Sequence, residues 1–237
     1  MPSTDTANSY TQRRAEIEHY FDRTASDAWS KLTSNAPVSR IRQTVRAGRD
    51  EMRNTLLSWL PDDLHGMRIL DAGCGTGALA VELATRGATV LAVDLSPTLI
   101  ELARERLPSD IGDGHIDFEV GDMAALATGE FDYVVAMDSL IHYDVEDGIR
   151  VLSSLAPRVK HSMLFTHAPS TVLLELMHTT GKLFPRNDRA PAIQPVSEKK
   201  LETMMRSEPG LKDWSPARVK RINGGCYISQ ACELKRT

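Results

Sequence analysis

The sequence predicts a doubly wound α/β fold, one mostly parallel sheet with helices on both faces. Three observations carry this. Apolar runs at 67–71, 89–94, 116–120, 131–137 and 162–166 alternate with segments whose apolar residues recur at helical spacing. The first run leads into Asp71-Ala72-Gly73-Cys74-Gly75-Thr76-Gly77, a glycine turn between a strand and a helix. Three acids, Asp71, Asp94 and Asp122, end three successive runs, and in such a fold those ends line a single crevice.

The elements follow in order. Residues 1–8 read as a disordered tip. Residues 9–23 place Ile17, Tyr20 and Phe21 on one stripe among charges, which suggests an amphipathic helix. Pro37 is placed to open a second helix that runs to Trp59-Leu60 and stops at Pro61. These helices, residues 1–60, form an N-terminal addition covering the active site. The core, 61–170, runs through strand 67–71, helix 76–86, strand 89–94 and helix 97–107, the last with Ser96 as cap and Pro97 in its first turn. Strand 116–120, a short turn at 123–127, strand 131–137, helix 144–156 and strand 162–166 complete it. The remainder, 171–237, belongs to the same domain. It comprises a helix at 172–183, a proline-rich charged loop from Phe184, a helix opened by Ser197, and two β runs at 215–222 and 226–235 about Asn223-Gly224-Gly225.

Composition narrows the function classes. The 237 residues are 41% hydrophobic, enough for a sizeable core, and the net charge of −4 argues against nucleic-acid binding. No apolar stretch is long enough to span a bilayer, and the N-terminus is polar, so the chain reads as cytoplasmic. Three scattered cysteines make no disulfide framework. Cys226 and Cys232, in one extended segment at about 3.3 Å per residue, would lie too far apart to bridge. No zinc-ligand spacing occurs, and no protein metal site is expected.

The turn 71–77 with its strand and helix suits an adenosyl cofactor, whose ribose hydroxyls Asp94 would accept. A dinucleotide dehydrogenase is the competing reading, since Gly73 to Ala78 fits a permissive G-x-G-x-x-A pattern. Asp71 at the mouth of the first strand is unfavourable to a pyrophosphate but suits the ammonium and sulfonium of S-adenosylmethionine. No second mononucleotide-binding half is apparent. The crevice therefore resembles that of Rossmann-like class I methyltransferases, a resemblance that implies a seven-stranded sheet ending in an antiparallel hairpin.

Flanking segments narrow the resemblance. Tyr20-Phe21-Asp22-Arg23 with Trp29, Val45-Arg46-Ala47-Gly48-Arg49, Asp138-Ser139-Leu140-Ile141-His142-Tyr143 and Gly181-Lys182-Leu183-Phe184-Pro185 stand in the order found in magnesium-protoporphyrin IX O-methyltransferases. Asp22, Ala28 and Arg49 depart from the plant-type pattern, as does Cys226-Tyr227-Ile228-Ser229, where a more aromatic run is usual. The chain resembles a bacterial member of the bacteriochlorophyll pathway.

That resemblance implies methyl transfer from S-adenosylmethionine to a propionate of magnesium-protoporphyrin IX, releasing S-adenosylhomocysteine (SAH). The magnesium belongs to the substrate. Cofactor contacts fall on Asp71, Gly73, Cys74, Gly75 and Gly77 at the methionine end, with Cys74 a small filler. Asp94 is assigned to the ribose, Leu95, Asp122 and Met123 to the adenine, and Asp138 and Ser139 to the methionine moiety. His142 would orient the reacting carboxylate and Tyr20 would close the site. A loop histidine is also commonly solvated, and an aromatic on an amphipathic stripe is commonly core. Arg46 or Arg49 is a candidate for the unreacted propionate, and loop 184–195 for a lid. Handover from the porphyrin-binding subunit of magnesium chelatase and peripheral contact with the photosynthetic membrane follow by family analogy. Two alternatives stay open: methylation of a phenol, amine or other acid, and a non-catalytic cofactor-binding protein.

Overall fold

A computed structural model describes residues 4–24, 33, 37, 39–170 and 193–237. Strands β1 (Arg68–Ala72), β2 (Thr89–Asp94), β3 (His115–Val120), β4 (Phe131–Ala136), β5 (Val159–His167), β6 (Trp214–Gly224) and β7 (Tyr227–Arg236) form one sheet. Their order is β3-β2-β1-β4-β5-β7-β6. Neighbours from β3 to β5 run parallel, and β7 joins β5 and β6 antiparallel.

The strands read as continuous apolar runs because both faces are covered. Leu70, Leu91, Val93, Val134, Met163 and Phe165 enter one core. Their chain neighbours Ile69, Val90, Ala92, Val135 and Leu164 enter the other, as the two-residue period of a strand requires. Helices α1 (Thr4–His19), α2 (Arg40–Ser58), α3 (Ala78–Thr85), α4 (Pro97–Glu105), α5 (Met123–Leu126), α6 (Val145–Leu155) and α7 (Glu198–Ser207) pack around the sheet. Strand order reverses between β1 and β4, and the crevice at such a point is where ligands bind in open α/β sheets.

Local chemistry sets the boundaries. Ser96 caps α4 by accepting the Leu99 N–H at 3.2 Å, with Pro97 in the first turn. α3 starts only at Ala78, because Gly77 takes a left-handed conformation (φ 78°). Four boundaries differ from the sequence expectation. The N-terminal helix begins at Thr4, so most of the expected tip is helical. α2 begins at Arg40 rather than Pro37, with the Ser39 hydroxyl accepting the Arg42 N–H. β5 starts earlier, at Val159. The hairpin turn falls at 225–226, where Gly225 has φ 65°, so Cys226 lies in the turn and not in an extended strand. Trp29, Ala28, the helix expected at 172–183 and the loop from Phe184 to 192 lie outside the described residues.

No helix among the described residues is long and apolar enough to cross a membrane, and no group of three or more His, Cys, Asp or Glu there is arranged to hold a metal ion.

Candidate active site

The turn after β1 is fixed by its neighbours on both sides. Gly73 and Cys74 donate their backbone N–H groups to the Val93 carbonyl at 2.8 and 3.0 Å. Gly75 donates to Asp94 Oδ2 at 2.8 Å, and Ser96 N–H reaches Asp94 Oδ1 at 3.0 Å. On the other side, Ser139 Oγ donates to the Ala72 carbonyl at 2.7 Å. Gly73 (φ 85°) sits so near that a Cβ there would lie 2.2 Å from Ser139 Cβ. Only glycine allows this approach. The ends of β1, β2 and β4 thus form one rigid rim.

A cleft opens on this rim. Gly73, Gly75, Asp94, Leu95, Met123, Asp138, Ser139 and His142, eight of the thirteen residues expected at the cofactor or the reacting carboxylate, line it together with Arg49. The remaining five stand elsewhere. Asp71 lies behind the wall, 1% exposed. Burial, reinforced by the charge of Asp94, pushes its carboxyl up to about 7 against a weaker opposing hydrogen bond from the Ala80 backbone. Its Oδ2 is buried without a hydrogen-bond partner. Cys74 is buried, and burial with the adjacent acids pushes its thiol well above the ordinary range. Gly77 packs against Phe118.

Asp122 is engaged by the N-terminal helix. Arg14 Nη1 reaches Asp122 Oδ2 at 2.7 Å, Tyr10 donates its hydroxyl at 3.2 Å, and the Ala124 N–H is capped at 2.8 Å. Tyr20 begins a π-helical turn (Tyr20–Thr24). Phe21, the next residue, lines the cleft, and Tyr20 does not. The Tyr20 ring stands edge-on to Phe21, centroids 5.2 Å apart. Phe21 in turn meets the His142 ring edge-on at 5.5 Å. His142 closes the 3₁₀ turn Leu140–His142, and its carbonyl accepts Arg13 Nε–H at 2.8 Å.

Asp138 has the one positive φ (53°) among described non-glycine residues. Its buried carboxylate accepts from Arg49 at 2.7 Å, from the Tyr227 hydroxyl at 3.0 Å, from Thr166 at 3.2 Å and from Ser229 at 3.4 Å. Sequence reasoning did not join Tyr227 to this acid. The signal was present in the hairpin segment Cys226-Tyr227-Ile228-Ser229, noted only as a departure.

An orphaned carboxylate oxygen on Asp71, a doubly anchored Asp94 and a glycine rim where a Cβ at Gly73 would collide fit an adenosyl ligand with a cationic amino-acid end. Residues 136–236 match the family model for the C-terminus of magnesium-protoporphyrin IX methyltransferase, and residues 69–162 match a general methyltransferase domain. The magnesium-protoporphyrin O-methyltransferase of Rhodobacter capsulatus is 49% identical over 236 residues, covering 99% of this chain and 100% of that protein. The chain belongs to the magnesium-protoporphyrin O-methyltransferase family.

The chloroplastic magnesium protoporphyrin IX methyltransferase of Arabidopsis thaliana is 32% identical over 221 residues, covering 92% of this chain and 69% of that protein. A crystal structure of magnesium protoporphyrin IX methyltransferase from Synechocystis PCC 6803 with bound SAH superposes with a TM-score of 0.81 at 26% identity, covering 94% and 100% of the two chains. The fold is the Rossmann-like class I methyltransferase fold, and the seven strands with a terminal antiparallel hairpin are those the family resemblance implied. The family segments at 20–23, 45–49 and 138–143 converge on the cleft through Phe21, Arg49, Asp138 and His142.

Proposed function

We propose that this chain transfers the methyl group of S-adenosylmethionine to a propionate carboxylate of magnesium-protoporphyrin IX, giving the monomethyl ester and SAH. The observation that carries this reading is full-length similarity at 49% identity to a protein of that name. The sulfonium supplies an electrophilic methyl; as the carboxylate oxygen bonds to it, the methyl–sulfur bond breaks and its electron pair stays on sulfur. No proton moves. A propionate resembles a Glu side chain, with a pKa of about 4.3, and is already anionic at neutral pH. The chain therefore has no need of a general base.

Its residues have other work. Asp94 holds one backbone N–H on each oxygen and keeps lone pairs for two ribose hydroxyls. Leu95 and Met123 offer apolar surface to the adenine. Asp71 places carboxylate charge behind the glycine turn, near the cofactor's ammonium. Ile17, Phe21 and Tyr143 form an apolar cover that keeps water from the nucleophile. His142 presents an imidazole to the cleft to hydrogen-bond the reacting carboxylate and hold it in line. Tyr20 serves through Phe21, by packing, and the assignment of Asp122 to the adenine edge requires Arg14 to give way. A flat, sparingly soluble substrate makes handover from the porphyrin-binding subunit of magnesium chelatase part of the same reading, with the protein in the cytoplasm at the face of the photosynthetic membrane.

The test is incubation of the purified protein with S-adenosylmethionine and magnesium-protoporphyrin IX, with metal-free protoporphyrin in parallel, and mass spectrometry of the products. Monomethyl ester formed preferentially from the magnesium chelate is expected. Absence of ester from soluble porphyrin, with SAH binding intact, would overturn the assignment of the acceptor.

A further inference from the structure

Asp138 lines the cleft, yet its carboxylate is spent within the protein. Oδ1 accepts from Thr166, Tyr227 and Ser229, and Oδ2 from Arg49 and Tyr227. With only 5% of the side chain exposed, it has little left for a ligand. Its effect is to hold Arg49, whose guanidinium lies in the cleft wall, 20% exposed, 2.7 Å from Asp138 Oδ2.

Three separate elements build this arrangement. Arg49 comes from α2, Asp138 from the end of β4 and Tyr227 from the start of β7. Gly48 lets α2 approach, since a Cβ at that position would lie 2.5 Å from Tyr227 Cδ1. Asp138 adopts its left-handed backbone in the same place, an uncommon conformation kept where function demands it. A buried ion pair adds little net stability by itself, so its retention at a binding cleft calls for another reason. A guanidinium is a planar fork of N–H donors suited to carboxylates, and Arg49 presents one in the wall of the cleft.

We propose that Arg49 binds a ligand carboxylate in this cleft, with Asp138 and Tyr227 as the residues that position it. Two carboxylates qualify: the α-carboxylate of the methyl donor and a propionate of the acceptor. The first source rests only on a cofactor cleft; the second rests on the porphyrin reading above.

Titration calorimetry with SAH and with decarboxylated SAH tests the first source on Arg49→Ala, Arg49→Lys and Tyr227→Phe. Loss of one charge-assisted contact corresponds to about 10- to 100-fold in affinity. For the donor carboxylate, Arg49→Ala should weaken SAH by that factor and leave the decarboxylated analogue unchanged. Arg49→Lys should recover part of the loss, and Tyr227→Phe should weaken SAH by less than Arg49→Ala. For the acceptor propionate, SAH binding should stay constant while KM for magnesium-protoporphyrin IX rises about 10-fold or more with kcat less affected. Equal weakening of SAH and its decarboxylated analogue would mark a structural role and overturn the proposal, as would a folded Arg49→Ala that matches wild type in both assays. Should Arg49→Ala fail to fold, the same comparisons on Arg49→Lys and Tyr227→Phe decide. SAH binding needs no turnover, so a wrong acceptor would leave the first source testable.

Discussion

Gly75 and Asp94 are joined by a hydrogen bond of 2.8 Å from backbone N–H to carboxylate, so the glycine turn after β1 and the acid ending β2 move as one body. Asp94→Ala removes the acceptor proposed for the two ribose hydroxyls and also the carboxylate that Gly75 N–H donates to. Affinity for SAH should fall at least about 10-fold, with the far-ultraviolet spectrum unchanged. Affinity within threefold of wild type by titration calorimetry would remove Asp94 from the ribose site.

Asp71 makes stability depend on pH. Its carboxyl is pushed up to about 7 in the folded chain, chiefly by burial, from an ordinary value of 3.8. A raised carboxyl contributes stability fully below its unfolded value, and that contribution is lost as pH rises toward the folded value. Ligand-free protein should therefore lose stability from this group between about pH 4 and pH 7. His167 acts in the opposite sense, because burial lowers its pKa and its contribution is lost as pH falls. The readout is thus the Tm difference between Asp71→Asn and wild type, measured from pH 5 to pH 8. The variant should gain on wild type as pH rises, and a constant difference would refute the account. If Asp71 faces the cofactor's ammonium, SAH binding near pH 6.5 should also release protons in wild type and not in the variant.

Gly48→Ala tests the approach of α2 to the hairpin. The new methyl would lie 2.5 Å from the Tyr227 ring, and such overpacking costs about 1–3 kcal/mol. For a chain of this size that corresponds to a Tm lowered by roughly 2–12 °C. The variant should also lose part of whatever affinity Arg49 supplies. An unchanged Tm would show that the two elements separate freely.

His142→Ala should lower single-turnover rates about 10- to 100-fold through lost alignment of the carboxylate, with SAH affinity preserved. Because the acceptor needs no deprotonation at neutral pH, added imidazole should not restore rate by acting as a base. A rate within twofold of wild type would leave His142 as a wall residue.

The core was legible because its signals are local. Strand runs, the Ser96 cap with Pro97, and the glycine turn each declare themselves within a few residues, and the two cores follow from alternation along β1 and β2. What was missed is non-local. Arg49 and Tyr227 each stand 89 positions from Asp138, and no periodicity relates them. The start of α1 at Thr4 was hidden for a related reason: the helix is anchored by Tyr10, Arg13 and Arg14 to distant loops and has little apolar stripe of its own. Tyr20 and Phe21 share one stripe in the sequence, and only the folded chain shows that Phe21 lines the cleft.

The N-terminal segment ties itself to three successive strand-end loops. Asp22 accepts from the Thr98 backbone and hydroxyl beyond β2, Arg14 pairs with Asp122 beyond β3, and Arg13 reaches the His142 carbonyl beyond β4. These loops are also the rim through which a ligand must enter. If a ligand in the cleft favours this arrangement of residues 4–24, the arrangement favours the ligand by the same factor. Substitutions far from the reacting atoms, such as Arg13→Ala or Asp22→Ala, should therefore change SAH affinity, which titration calorimetry would read.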